Sequence, residues 1–84
     1  MNDCLITFRT VTPAQRGQAI LRRAGVFCTI SRTPKWMEEQ GCGYSLRVRA
    51  AQAQRCVELL RAERIAFRKL YLLRENGEAE ELEI

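Results

Sequence analysis

The stretch Tyr44-Ser45-Leu46-Arg47-Val48, "YSLRV", alternates apolar and polar residues without a break. In a strand, successive side chains point to opposite faces. Tyr44, Leu46 and Val48 therefore line one face, and Ser45 and Arg47 the other. A strand with one apolar face needs a second layer to cover it. The sequence on either side supplies that layer.

Downstream, "AAQAQRCVELLRAER" (Ala50–Arg64) places Ala53, Cys56, Val57 and Leu60 at i, i+3, i+4 and i+7, the pattern of an amphipathic helix. Arg55, Glu58 and Arg61 are three apart and can pair on its wet side. "IAFRKLYLL" (Ile65–Leu73) reads as a last strand. Upstream, "CLITFR" (Cys4–Arg9) is a short β-type run. "TVTPAQ" then reads as a helix start, with Thr12 as N-cap, Pro13 at the first helical position and Gln15 completing a capping box. Gly17, Ile20, Leu21 and Ala24 share one face of this helix, while Arg16, Arg22 and Arg23 fall largely elsewhere. Gly25 is placed to end it as a left-handed cap. "VFCTIS" (Val26–Ser31) is short and β-branched, hence a strand. "RTPKWMEEQGCG" connects it to "YSLRV", and Lys35–Gln40 has the composition of a helical turn.

The order is β-α-β-β-α-β. It predicts an α+β fold, a ferredoxin-like βαββαβ two-layer sandwich. The sheet would be four-stranded and antiparallel, of order 4-1-3-2, with two helices on one face. Residues 1–74 form the expected single domain. Residues 75–84, "ENGEAEELEI", form an acidic tail with no pattern that demands structure.

Composition agrees with one small folded domain. The chain has 84 residues, of which 46% are apolar, too many for a disordered segment. No apolar run approaches the roughly 20 residues needed to cross a bilayer. The N-terminus "MNDCLITFRT" does not read as a signal peptide, so the expected location is the cytoplasm, where thiols stay reduced. Residues 1–74 carry all 14 Lys and Arg and only five acids, Asp3, Glu38, Glu39, Glu58 and Glu63, for a net charge of +9. The tail holds the other five acids and no base. A basic domain of this kind suits an anionic partner, with the tail as an internal competitor.

There is no histidine, which removes the usual general base and the usual partner of a nucleophilic Ser or Cys. The chain therefore reads as a carrier or binding protein rather than a stand-alone enzyme. Its four cysteines, Cys4, Cys28, Cys42 and Cys56, include no C-x2-C pair, so no metal site is expected. Cys56 lies on the apolar helix face, and Cys4 and Cys28 lie in strands, where cysteines serve as packing residues.

Cys42 is different. It sits between Gly41 and Gly43, immediately before "YSLRV". In the predicted topology the start of this strand shares one edge of the domain with the ends of the first two strands. That edge also receives the first helix N-terminus near Thr12, and Arg9, Arg32 and Lys35. Flanking glycines leave backbone N–H groups accessible, as in an anion-binding nest. Such surroundings favour thiolate over thiol. Glu38 and Glu39 oppose this if they approach the sulfur.

Three blocks carry a family resemblance: "ITF" in the first strand, "AGV" leading into the second, and "TPKWMEEQGCGYSLRV". With them the chain resembles the small domains described as selenium/sulfur carrier protein-like, over roughly residues 5–73. The match falls on Thr33, Pro34, Lys35, Cys42 and Gly43. The resemblance implies a carrier with sulfur or selenium held on Cys42 as a persulfide or perselenide, without any other cofactor. It also implies donor and acceptor proteins as partners. Trp36 and Met37 would offer an apolar docking point beside the thiol. The sequence departs from the family pattern in the bulky and acidic "WMEEQ" before Gly41.

Two other readings compete. A noncatalytic interaction or regulatory module, homodimeric through a sheet face or edge, fits the apolar residues on both faces of "FRKLYLL". RNA-recognition domains share the element order, and their third strand carries a basic-Gly-aromatic-small-aromatic pattern. Here Cys42 stands at the basic position, Leu46 at the second aromatic one, and Tyr44 is set to face the helices. Nucleic acid is not the expected partner.

Overall fold

A computed structural model of the chain describes residues 2–33 and 43–82. Within them the chain forms β1 (Asp3–Phe8), α1 (Val11–Arg23), β2 (Thr29–Arg32) and β3 (Tyr44–Arg49). A 3-10 turn (Ala50–Gln52) then leads into α2 (Ala53–Ala62), β4 (Leu70–Leu73) and β5 (Ala79–Leu82). All strand pairs are antiparallel, in one sheet of order β2-β3-β1-β4-β5.

The α+β class with two helices and an antiparallel sheet stands. The four-stranded sheet of order 4-1-3-2 is corrected to five strands among the described residues. The added strand comes from the tail that was expected to lack structure. Asn76-Gly77 makes a tight turn, with Gly77 at φ +90°. The Arg74 N–H donates to the Glu78 carbonyl at 2.8 Å, and Asn76 Oδ1 accepts the Glu78 N–H at 3.0 Å. β5 then lies along β4, with Lys69 paired to Glu81 at 3.1 Å and Arg74 paired to Glu80. Leu82 packs against the core. The acids thus hold one sheet edge beside neighbouring cations.

The alternation in β3 appears as expected on its apolar side. Leu46 and Val48 join Cys4, Ile6 and Phe8 of β1 in the core. Ala14 and Leu21 of α1 and Cys56, Val57 and Leu60 of α2 complete it, so the helices cover this face of the sheet. Gly17 permits the close approach of α1. A Cβ there would stand 3.0 Å from Leu60 Cδ2 and 3.2 Å from Leu46 Cδ1.

Several boundaries move. The N-cap of α1 is Thr10, without a side-chain cap bond, so Thr12 is the second helical residue. Pro13 remains in the first turn, where no N–H is required. Gly25 ends the helix at φ +82°, with the Val26 N–H reaching the Leu21 carbonyl at 2.9 Å, as the cap reading requires. β2 begins at Thr29 rather than Val26, because its pairing with β3 stops at Arg47. β4 is confined to Leu70–Leu73. Glu58 accepts from Gln54 at 3.4 Å, and Arg55 reaches the Ala24 carbonyl at 3.3 Å. No helix among the described residues is long and apolar enough to cross a membrane.

Candidate functional site

Antiparallel register brings three chain ends together. Tyr44, the first residue of β3, pairs with Phe8 at the end of β1 and with Arg32 at the end of β2. One residue further out, the Thr33 N–H donates to the Gly43 carbonyl at 2.9 Å. Arg9 follows β1 directly and is exposed, and Thr12 is exposed in the first turn of α1. Arg32 is exposed, whereas Thr33 and Gly43 are buried. Arg9, Thr12, Arg32, Thr33 and Gly43 are thus gathered at one end of the sheet. Pro34, Lys35, Trp36, Met37, Glu38, Glu39, Gly41 and Cys42 lie outside the described residues.

The other cysteines are removed from chemistry. Cys4 is 1% exposed, and Cys28 and Cys56 are fully buried. Burial raises all three thiols, and a fixed charge at Asp3 adds to the rise at Cys4. Cys56 is pushed up to about 11, mainly by desolvation and then by neighbouring Cys28. Cys28 Sγ also donates to the Gln18 carbonyl at 3.8 Å. At neutral pH these groups are neutral thiols inside the core, as their sequence positions suggested.

The face away from the helices holds a feature that the sequence did not signal. Alternation assigned Ser45 to the same outer face as Arg47. Arg47 is exposed, but Ser45 is fully buried, together with Thr33 and Thr7. Thr7 pairs with Ser45 across β1 and β3. Its hydroxyl is engaged, accepting the Lys69 N–H at 3.0 Å and donating to the Lys69 carbonyl at 3.3 Å. The Thr33 and Ser45 hydroxyls have no hydrogen-bond partner among the described residues. Burial of this kind depends on packing from elsewhere in the chain, which strand periodicity does not encode.

Tyr44 packs against the core, so its ring belongs to the helix-covered side. At the far end of β3 a cleft of about 340 Å³ is lined by Asp3, Phe27, Thr29, Arg47, Val48 and Arg49. Asp3 and Arg47 are paired there at 2.7 Å, and Phe27 is 78% exposed. Among the described residues no group of three or more His, Cys, Asp or Glu side chains could hold a metal ion.

A family model described as "Putative Se/S carrier protein-like" matches residues 3–72. No curated protein and no solved structure matches the chain. The matched span runs from the start of β1 into β4 and includes the end of the sheet where Thr33 and Gly43 meet.

Proposed function

The chain belongs to the Se/S carrier protein-like family, and from that premise we propose that it carries sulfur or selenium on the Cys42 thiol and passes it to a partner protein. The family match is the observation that carries this reading. The burial of Cys4, Cys28 and Cys56 supports the choice of thiol, since a carrier thiol must be reachable and ionisable. So does chain position, because Cys42 precedes Gly43, whose carbonyl holds the end of β2 through Thr33.

Loading is a thiol exchange. The Cys42 thiolate attacks the outer sulfur of a donor persulfide. The donor's S–S bond breaks, the donor leaves as a thiolate, and Cys42 gains one sulfur with no net redox change. Arg9 and Arg32, exposed at the end of the sheet nearest Cys42 in sequence, favour a thiolate there by their charge, with Thr12 and Gly43 at the same end; Lys35 and Gly41, close in sequence, belong to the same proposal. By their place in the sequence, Thr33 and Pro34 belong to the family's motif, and Trp36 and Met37 are the apolar residues offered to donor and acceptor.

The test is loading by a cysteine desulfurase, read by intact mass. Wild type and Cys56→Ala gain the mass of one sulfur, and Cys42→Ser does not. Failure of wild type to gain any adduct, with Cys42 also inert to alkylation at neutral pH, removes the carrier reading.

A further inference from the structure

We propose that the outer edge of β2 receives an extended acidic segment of a partner protein, which joins the sheet as a further strand beside Phe27. This surface goes beyond the carrier reading, because it needs no thiol.

β2 is the last strand on its side of the sheet among the described residues. In an antiparallel pair, facing residues alternately exchange both backbone bonds and neither. The Thr33 N–H donates to the Gly43 carbonyl at 2.9 Å, so Thr33 and Gly43 are a bonded pair. Counting back by two along the register, Ser31–Ser45 and Thr29–Arg47 are bonded pairs as well. The N–H and C=O groups of Ile30 and Arg32 therefore point away from β3, along the free edge. Exposed edges are ordinarily guarded by charge, proline or a bulge. β5 is guarded in this way by Glu80 and Glu81. β2 keeps an unbroken register, and Thr29, Ile30 and Ser31 carry no charge. Thr29, Ser31 and Arg32 are exposed.

The side chains around this edge select its occupant. α1, β2 and β3 carry Arg16, Arg22, Arg23, Arg32, Arg47 and Arg49 and no acid. Arg47 is answered by Asp3 of β1. Arg22 of α1 reaches the Cys28 carbonyl at 3.4 Å, which sets a guanidinium beside the chain entering β2. Arg32 stands exposed at the other end and shares the helix side with its partner Tyr44. Acids of an added strand would meet these cations on that side. On the opposite face Phe27, 78% exposed, lines the cleft of about 340 Å³ with Thr29 and Arg47, and an apolar side chain suits it. Strand alternation delivers both, acids to one face and apolar groups to the other. A second copy fits less well. Two β2 edges would bring two basic surfaces together. The acids of β5 are already paired with Lys69 and Arg74.

The probe is a fluorescein-labelled octapeptide alternating Glu and Val, followed by anisotropy at low salt, where charge attraction is least screened. It should bind, and the same peptide with Lys for Glu should not. N-methylation of one alternate set of residues should abolish binding, because it removes the N–H groups that face β2. Methylation of the other set should leave binding intact. Phe27→Ala and Arg32→Gln, both at exposed positions, should each weaken binding about tenfold. Arg32→Pro also removes an edge N–H that takes no part in the ladder, and should weaken it further. Thermal melts check that the variants are folded. Equal binding of the Glu and Lys peptides, no binding of either, or binding indifferent to which set is methylated overturns the proposal. Tighter binding of a single-stranded oligouridylate, weakened by the same variants, would give the edge to nucleic acid instead. Light scattering that grows with concentration in wild type but not in Arg32→Pro would give it to a second copy. Loading of Cys42 is a separate measurement, so the carrier reading stands or falls without this one.

Discussion

The β1–β4 side of the sheet and the β2–β3 side treat the same problem in opposite ways. Thr7 and Ser45 are partners across the central strand pair, and both are buried. On the β4 side, Thr7 spends its hydroxyl on the Lys69 backbone, and β5 closes the edge with its acids beside Lys69 and Arg74. On the β2 side, Ser45 and Thr33 are buried with hydroxyls unengaged by any described residue. One half of the sheet satisfies itself. The other half buries two hydroxyls that no described residue engages, at the end nearest Cys42 in sequence.

The comparison breaks first if the shared helix-covered layer fails. Phe8 is fully buried, pairs with Tyr44, and lies beneath Gly17. Phe8→Ala should cost about 3–5 kcal/mol, combining lost transfer energy with a cavity. In a domain this small that approaches the whole stability. Urea denaturation should show the midpoint collapse, and loading of Cys42 should fall with it.

The next largest effect is alkaline. Cys56 has a folded pKa of about 11, raised by desolvation first and by Cys28 second, against about 8.5 for an unfolded cysteine. Below the unfolded value both states are protonated, and the burial contribution is fully present. Between the two values the unfolded chain loses a proton that the folded chain keeps. Stability therefore falls as pH rises, by about 3 kcal/mol from Cys56. Cys4 and Cys28 shift in the same direction and add to the slope. Urea midpoints followed from neutral to alkaline pH should show the fall, and Cys56→Ala should flatten it. A slope unchanged by that substitution would mean the loss arises elsewhere.

Much of this arrangement is legible in the sequence, for physical reasons that also mark its limits. The spacing of Ala53, Cys56, Val57 and Leu60 yields a helix face because burial there follows a 3.6-residue period. Leu46 and Val48 are legible for the corresponding reason in a strand. β5 is not legible from periodicity, because Glu80 and Glu81 are exposed on both sides of an edge. Its signal is the turn itself, since Asn-Gly between two short β-type runs is a hairpin marker. At the site, the glycine-flanked Cys42 stands out as a motif. Ser45 does not, because alternation specifies which face a residue takes but not whether that face is wet.

Ser45 also gives the sharpest and smallest test, set against its partner. Thr7→Val removes a buried hydroxyl that accepts the Lys69 N–H in a part-buried bond, so it should cost about 1–2 kcal/mol. Ser45→Ala removes a hydroxyl with no partner among the described residues, so the unloaded protein should lose nothing, or gain up to about 1 kcal/mol. The two substitutions are one strand apart and delete the same group, so backbone and burial effects largely cancel between them. Their difference in urea midpoint reports whether each hydroxyl is engaged. If Ser45→Ala destabilises as much as Thr7→Val, the Ser45 hydroxyl is engaged in the fold after all.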